Sequence, residues 1–128
     1  NYSEVTALRK IKNIKIEQFG RNCFIKSEPK KKDMALARSG LERVRKIISL
    51  RIYDMVILDE INVALRLKLL KLEDVISLIK NTSQKTELVL TGRYAHPKIL
   101  KIADLVSEIK DKKHYYKKGQ KARKGIEF

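Results

Sequence analysis

Two adjacent carboxylates, Asp59 and Glu60, close a run of four apolar residues, Met55-Val56-Ile57-Leu58. Such a run buries a strand and ejects an acidic pair at its end. This is the Walker B form, in which a carboxylate can hold Mg²⁺ directly or through water beside nucleotide phosphates. A buried strand that ends in two solvated acids gives the same pattern. Thr91-Gly92-Arg93 stands at the corresponding end of a second apolar run, Glu87 to Thr91. Glycine lets the backbone approach a ligand closely, and Arg93 offers a planar fork for phosphate; a turn after a strand also commonly holds Gly and a solvated Arg. The tail from Lys110 to Lys124 interleaves Lys and Arg with His114, Tyr115 and Tyr116. Taken alone, it reads as a basic aromatic arm for nucleic acid or as a solvated terminus. The loop that would cradle phosphates beside a Walker B strand, G-x-x-x-x-G-K-S/T, does not occur: Gly20, Gly40, Gly92, Gly119 and Gly125 are followed by Arg, Leu, Arg, Gln and Ile.

The elements that must position these groups alternate between helical and extended periods. Val5, Leu8 and Ile11 predict a short helix from Ser3 to Ile11 with Ser3 as N-cap. Ile14 to Phe19 alternates as a strand does, and Gly20 to Lys32 reads as a loop. From Asp33 to about Leu50, Met34, Ala37, Leu41, Val44 and Ile48 fall on one stripe and predict a helix capped by Asp33. The run Asp54 to Asp59 predicts a strand buried on both faces of a parallel sheet. Leu72, Val75, Ile76 and Ile79 form a second helical stripe that ends at Asn81-Thr82-Ser83. A second buried strand follows at Glu87 to Thr91, then a helix begun at Pro97, then a third strand at Leu105 to Ile109. Helices between strands imply parallel crossovers, and ligands of such sheets bind beyond the carboxyl ends of the strands. Asp59 to Asn62, Thr91 to Arg93 and whatever follows Ile109 are therefore the places where chemistry is expected.

Composition bounds the partners. The chain has 128 residues, 43% hydrophobic and 35% charged, which suits a folded domain rather than a disordered segment. Thirty Lys and Arg against fifteen Asp and Glu give a net charge of +15, which attracts nucleic acid, an anionic membrane or a phosphate-bearing small molecule. A lysine-rich surface of no special purpose gives the same number. No apolar run approaches the ~20 residues that span a bilayer. A single cysteine, Cys23, excludes an internal disulfide framework and fits a reducing cytoplasm; with only two histidines, a Cys/His metal cage is not expected.

Several stretches together resemble one family, the P-loop-type ATP:cob(I)alamin (corrinoid) adenosyltransferases. They are Tyr53-Asp54-Met55-Val56-Ile57-Leu58-Asp59-Glu60-Ile61-Asn62-Val63-Ala64-Leu65, then Leu88-Val89-Leu90-Thr91-Gly92-Arg93 and Ala103-Asp104-Leu105-Val106. In the tail they are Lys113-His114, Gly119, Ala122 and Gly125-Ile126-Glu127-Phe128. The similarity runs across nearly the whole chain. The D-E-x-N-x-A-L stretch and the K-H to G-I-E-F ending are far more specific than a bare Walker B strand.

The resemblance implies an α/β fold, a parallel-sheet P-loop NTPase-like domain of RecA- or Rossmann-like three-layer build. It implies one partial domain over residues 1–128 with an extended tail over 110–128. Members carry a Walker A loop and a first strand ahead of the region where this chain begins, so Asn1 is expected to lie some tens of residues into a typical member. The activity implied is transfer of the 5′-deoxyadenosyl group of ATP to Co(I) of a reduced corrinoid, with release of triphosphate, in cobalamin biosynthesis or salvage. By resemblance, Asp59 and Glu60 hold Mg²⁺, Glu60 and Arg93 serve catalysis with Arg93 on phosphate, and Asn62, Lys113 and His114 line the site. Phe24 and Ile25 fall where members place apolar and aromatic residues against the corrin, although this chain has no Trp. A homodimer and a reducing flavoprotein are the implied partners, with nucleic acid and membrane not among them. Two other readings stay open: a basic nucleic-acid-binding module, and a non-catalytic remnant or partner subunit.

Overall fold

The computed structural model describes residues 3–20, 29–123 and 125–126. The expectations placed on Cys23, Phe24 and Ile25 lie outside the described residues. The chain divides into two compact units, Phe19–Leu105 and a second built from Asn1–Gln18 with Val106–Phe128.

The larger unit begins with α1 (Lys31–Leu50). Its apolar stripe seats Leu41 and Ile48 in the core, with Ala37 and Val44 packed against them. The helix starts two residues ahead of the expected cap: Lys30 is the N-cap and Asp33 is the third helical residue. Asp33 is buried, and its carboxylate accepts the Lys30 backbone N–H at 2.9 Å. A carboxylate in the first turn satisfies an orphan donor and faces the positive end of the helix dipole, which lets Lys31 and Lys32 enter a helix instead of a loop. Arg51, at φ 50°, closes the far end in the left-handed conformation.

Gly40 sits in the middle of this helix because the Phe19 ring occupies the space of a side chain. A Cβ there would lie 2.8 Å from Phe19 Cγ and 2.9 Å from Phe19 Cβ. Replacing a mid-helix glycine with alanine ordinarily stabilises by about 1 kcal/mol. Here Gly40→Ala is expected to destabilise, and a urea titration showing a raised midpoint would contradict the packing.

After α1 come β1 (Met55–Leu58), α2 (Ile61–Arg66), α3 (Leu72–Lys80), β2 (Glu87–Leu90) and α4 (Pro97–Ile102). The strands pair in parallel with Met55 beside Glu87 and Leu58 beside Leu90, joined by the crossover that α2 and α3 form. The core holds Leu41, Ile48, Leu58, Ile61, Leu70, Val75, Leu78 and Ile99. Val75 is fully enclosed and Leu78 nearly so; full burial of one such side chain stabilises by about 1.5–3 kcal/mol. His96 caps α4, its Nδ1 accepting the Lys98 N–H at 3.1 Å, and Pro97 takes the first helical position.

Three expectations are corrected. The strands are buried on one face only: Val56, Leu58, Leu88 and Leu90 turn to the core, while Met55, Ile57 and Val89 are 54%, 57% and 37% exposed. Residues 14–19 form no strand, and neither do residues 105–109, where Leu105 and Ile109 are 84% and 99% exposed. An extended segment becomes a strand only against a neighbouring edge that takes its N–H and C=O groups. Among the described residues the sheet contains β1 and β2 alone. The mixed α/β class with a parallel sheet holds.

The smaller unit contains the helix Ser3–Leu8, shorter than the expected Ser3–Ile11 and with no buried residue; its chain continues in turns to Ile14. The tail carries a 3-10 turn at Tyr115–Lys118. It is held by an ion pair of Lys117 with Asp111 at 2.6 Å, and Lys110 pairs with Glu108 at 2.9 Å. Among the described residues no helix is long and apolar enough to cross a membrane.

Candidate functional site

The parallel register brings the two chemistry-bearing turns side by side. With Leu58 opposite Leu90, the next residues off the sheet are Asp59 and Thr91. The Thr91 hydroxyl donates to Asp59 Oδ1 at 2.7 Å and accepts the Glu60 backbone N–H at 2.9 Å. The Asn62 N–H reaches the Thr91 carbonyl at 3.2 Å, and the Asn62 side-chain amide donates to the Gly92 carbonyl at 3.4 Å. The turn after β1 is thus fastened to the turn after β2 by four hydrogen bonds.

Glu60 adopts φ 58°, the left-handed region that costs a residue with a Cβ roughly 1–2 kcal/mol. That conformation swings the chain from the strand into α2 within two residues. Gly92, at φ 111°, lies against the same corner: a Cβ there would stand 3.2 Å from Glu60 Cα and from Glu60 Oε2, and 3.4 Å from Asn62 Cβ. Glycine is required on both counts, conformation and space.

Asp59 and Glu60 are both exposed, and among the described residues neither carboxylate joins an ion pair. The Asp59 carboxylate meets only the Thr91 hydroxyl, and the Glu60 carboxylate has no partner among the described residues. No cluster of three or more His, Cys, Asp or Glu able to enclose a metal occurs among the described residues. Two open carboxylates nevertheless fit a cation of the Mg²⁺ type, which takes one or two protein carboxylates and completes its shell with water and substrate phosphate oxygens.

Arg93 is exposed between Gly92 and Tyr94, and Tyr94 is itself left-handed at φ 65°. The Tyr94 ring carries the Arg66 guanidinium 5.7 Å from its centroid, a cation–π contact between α2 and this turn. Asn62 is buried beneath the corner, with its Oδ1 unpaired among the described residues. Lys113 and His114 belong to the smaller unit. Lys113 is exposed, and His114 caps the 3-10 turn, its Nδ1 accepting the Tyr116 N–H at 3.0 Å. A hollow of about 290 Å³ lined by Pro29, Met34, Leu67 and Lys68 includes, among the described residues, none of the expected site residues.

The roles of Thr91 and Tyr94 were not visible before the fold. For Thr91 the signal existed: once the two apolar runs are paired in parallel, a constant offset of 32 residues puts Thr91 next to Asp59. Nothing in local pattern marks Tyr94, because its contact comes from another element.

The family model described as ATP:corrinoid adenosyltransferase BtuR/CobO/CobP matches residues 1–128. The chain belongs to the ATP:corrinoid adenosyltransferase family. Curated relatives agree. A protein of Sinorhizobium sp. named corrinoid adenosyltransferase is 36% identical over 103 residues, covering 80% of this chain and 48% of that protein. The corrinoid adenosyltransferase of Escherichia coli K12 is 30% identical over 102 residues, 80% of this chain and 52% of its own length. The corrinoid adenosyltransferase CobA of Salmonella typhimurium is 33% identical over 96 residues, 75% of this chain and 49% of its own. The chain spans about half the length of the adenosyltransferases it matches.

Proposed function

We propose that this chain carries the acidic side of a corrinoid adenosyltransferase active site, in an enzyme that transfers the 5′-deoxyadenosyl group of ATP to Co(I) of a reduced corrinoid. The observation that carries the reading is the open Asp59–Glu60 pair, fastened to Thr91 at the carboxyl edge of a parallel sheet, in a chain whose whole length matches this family. In the reaction the Co(I) electron pair attacks the ribose C5′, the cobalt–carbon bond forms, the carbon–oxygen bond breaks and triphosphate departs with the electron pair. The substrate brings the nucleophile, so the protein has to align C5′ with cobalt and stabilise the charge of the departing triphosphate.

Asp59 and Glu60 would hold Mg²⁺, whose contribution when bound is to neutralise phosphate charge. Arg93, on the neighbouring turn, offers a fixed fork to the same phosphates. Asn62 holds the Gly92 corner in place from below. Lys113, His114, Phe24 and Ile25 are proposed to line the corrinoid side, on the strength of the resemblance alone. The complete fold is proposed to be three-layered, with Met55, Ile57 and Val89 covered in the whole enzyme; their exposure on one face of a two-stranded sheet supports this. A cytoplasmic homodimer served by a reducing flavoprotein completes the reading.

These 128 residues hold no G-x-x-x-x-G-K-S/T loop. The chain by itself is therefore expected to bind Mg-ATP weakly and to turn over poorly. Isothermal titration measures this directly, and micromolar affinity for Mg-ATP would refute it. The charge of +15 supports one competing reading, a nucleic-acid module. That reading predicts tight DNA or RNA binding whose affinity falls steeply with salt, whereas the adenosyltransferase reading predicts weak, sequence-blind binding at most.

A further inference from the structure

We propose that α2 is a splint for the Arg93 turn, and that Tyr94 and Arg66 are positioning residues that hold the Arg93 guanidinium where it meets phosphate, an inference that rests on the reading of Arg93 as the phosphate-binding cation of this edge. One face of one helix anchors the chain on both sides of Arg93. Asn62 and Arg66 are four residues apart in α2 and therefore lie on the same face. Asn62 takes the residues ahead of Arg93: its backbone N–H donates to the Thr91 carbonyl at 3.2 Å, and its side-chain amide donates to the Gly92 carbonyl at 3.4 Å. Arg66 takes the residue behind, its guanidinium carbon 5.7 Å from the centre of the Tyr94 ring. Arg93 itself is exposed, and its side chain has no hydrogen bond or ion pair among the described residues.

Neither the backbone nor the core asks for a tyrosine here. Tyr94 sits at φ 65°, a conformation that a residue with a bulky side chain disfavours and that asparagine or glycine adopts readily. Its ring is 69% exposed, so burial contributes little to holding it. What the tyrosine adds is an aromatic face for a guanidinium. With Gly92 fastened on one side and Tyr94 on the other, the single residue between them has few backbone conformations left. A cation presented in this way loses less freedom when phosphate arrives, and binds it more tightly for the same contacts. The contact of Arg66 with Tyr94 thus acts on the ligand through Arg93, without either residue touching it.

The test uses the full 128-residue chain and inorganic tripolyphosphate as probe at about 0.15 M salt. Its affinity is read by phosphorus NMR titration, and the stability of each variant by urea titration. Tyr94→Asn suits the left-handed backbone, keeps the net charge and removes the ring; Tyr94→Phe keeps the ring. The asparagine variant is expected to bind the probe about two- to fivefold more weakly, the worth of an exposed cation–π contact, with its urea midpoint unchanged or raised. The phenylalanine variant is expected to bind as the unsubstituted chain does. In an Arg93→Gln background the effect of Tyr94→Asn is expected to vanish, because it acts through Arg93. A merely structural tyrosine would lower stability on removal and leave the affinity where it was. Equal affinities in the tyrosine, phenylalanine and asparagine chains, or a loss in Tyr94→Asn that persists without Arg93, would overturn the proposal while leaving Arg93 on phosphate. If Arg93→Gln holds the probe as tightly as the unsubstituted chain, or if the unsubstituted chain does not hold it, the phosphate reading of Arg93 falls and the proposal with it.

Discussion

Exchanging Glu60 for glutamine is expected to lower adenosyl transfer by about two to three orders of magnitude while leaving the unfolding free energy within about 0.5 kcal/mol. The two halves of the expectation come from the same observation. The Glu60 side chain is exposed, and among the described residues it forms neither an ion pair nor a hydrogen bond; only its backbone N–H is tied down, to Thr91. Removing its charge withdraws nothing from the folded state. A charge left open at the carboxyl edge of a parallel sheet is therefore proposed to act on a ligand. The measurement is formation of adenosylated corrinoid by the whole enzyme at saturating Mg-ATP, beside a denaturant titration of the same variant. An unchanged rate would reduce the acid pair to a solvated strand end.

The second large effect is expected at Gly92. Alanine there must adopt φ 111° and must also place its Cβ 3.2 Å from Glu60 Cα and Oε2. Strain of this kind costs roughly 1–3 kcal/mol. The contact with Glu60 Cα is with backbone, which cannot rotate away, so relief comes from moving the corner itself. A shift of about 1 Å in a positioned group can cost 10²-fold in rate. Gly92→Ala is therefore expected to lose both stability and turnover, in contrast to Glu60→Gln, which loses turnover alone. Thermal unfolding and the transfer assay on the two variants separate the cases. A Gly92→Ala protein as stable as its parent would mean that the corner is looser than its contacts indicate.

Much of the larger unit was legible because its periods are strong and its ends are marked. Met55–Leu58 and Glu87–Leu90 are short apolar runs closed by polar residues, Leu72–Lys80 has an apolar stripe and an asparagine stop, and Pro97 announces a helix. Ile61–Arg66 was not anticipated: six residues make less than two turns, and its N-cap Glu60 makes no side-chain cap bond. The start of Lys31–Leu50 differs because three lysines read as a solvated run, whereas the buried Asp33 carboxylate accepts the Lys30 N–H and the helix begins at Lys31. Residues 14–19 and 105–109 have the right residue types for strands, but pairing is a property of the neighbour, which local pattern does not contain.

At the site, the acidic pair and the Gly-Arg turn were visible as residue types at strand ends. The tie between them was not, since it depends on which residue of one strand lies beside which residue of the other. The role of Gly40 was hidden for the same reason: its partner Phe19 arrives from elsewhere in the chain.

The pairing of Met55 with Glu87 and of Leu58 with Leu90 has one more consequence. In a sheet with side chains of period two, slipping one strand by a single position turns its inward set outward. Here the same slip would put Leu90 or Gly92 where Thr91 now meets Asp59. The ladder thus works as a vernier: molecules that mispair by one notch would keep their helices and strands in a circular dichroism spectrum, yet lose the Thr91–Asp59 tie, and with it the proposed site.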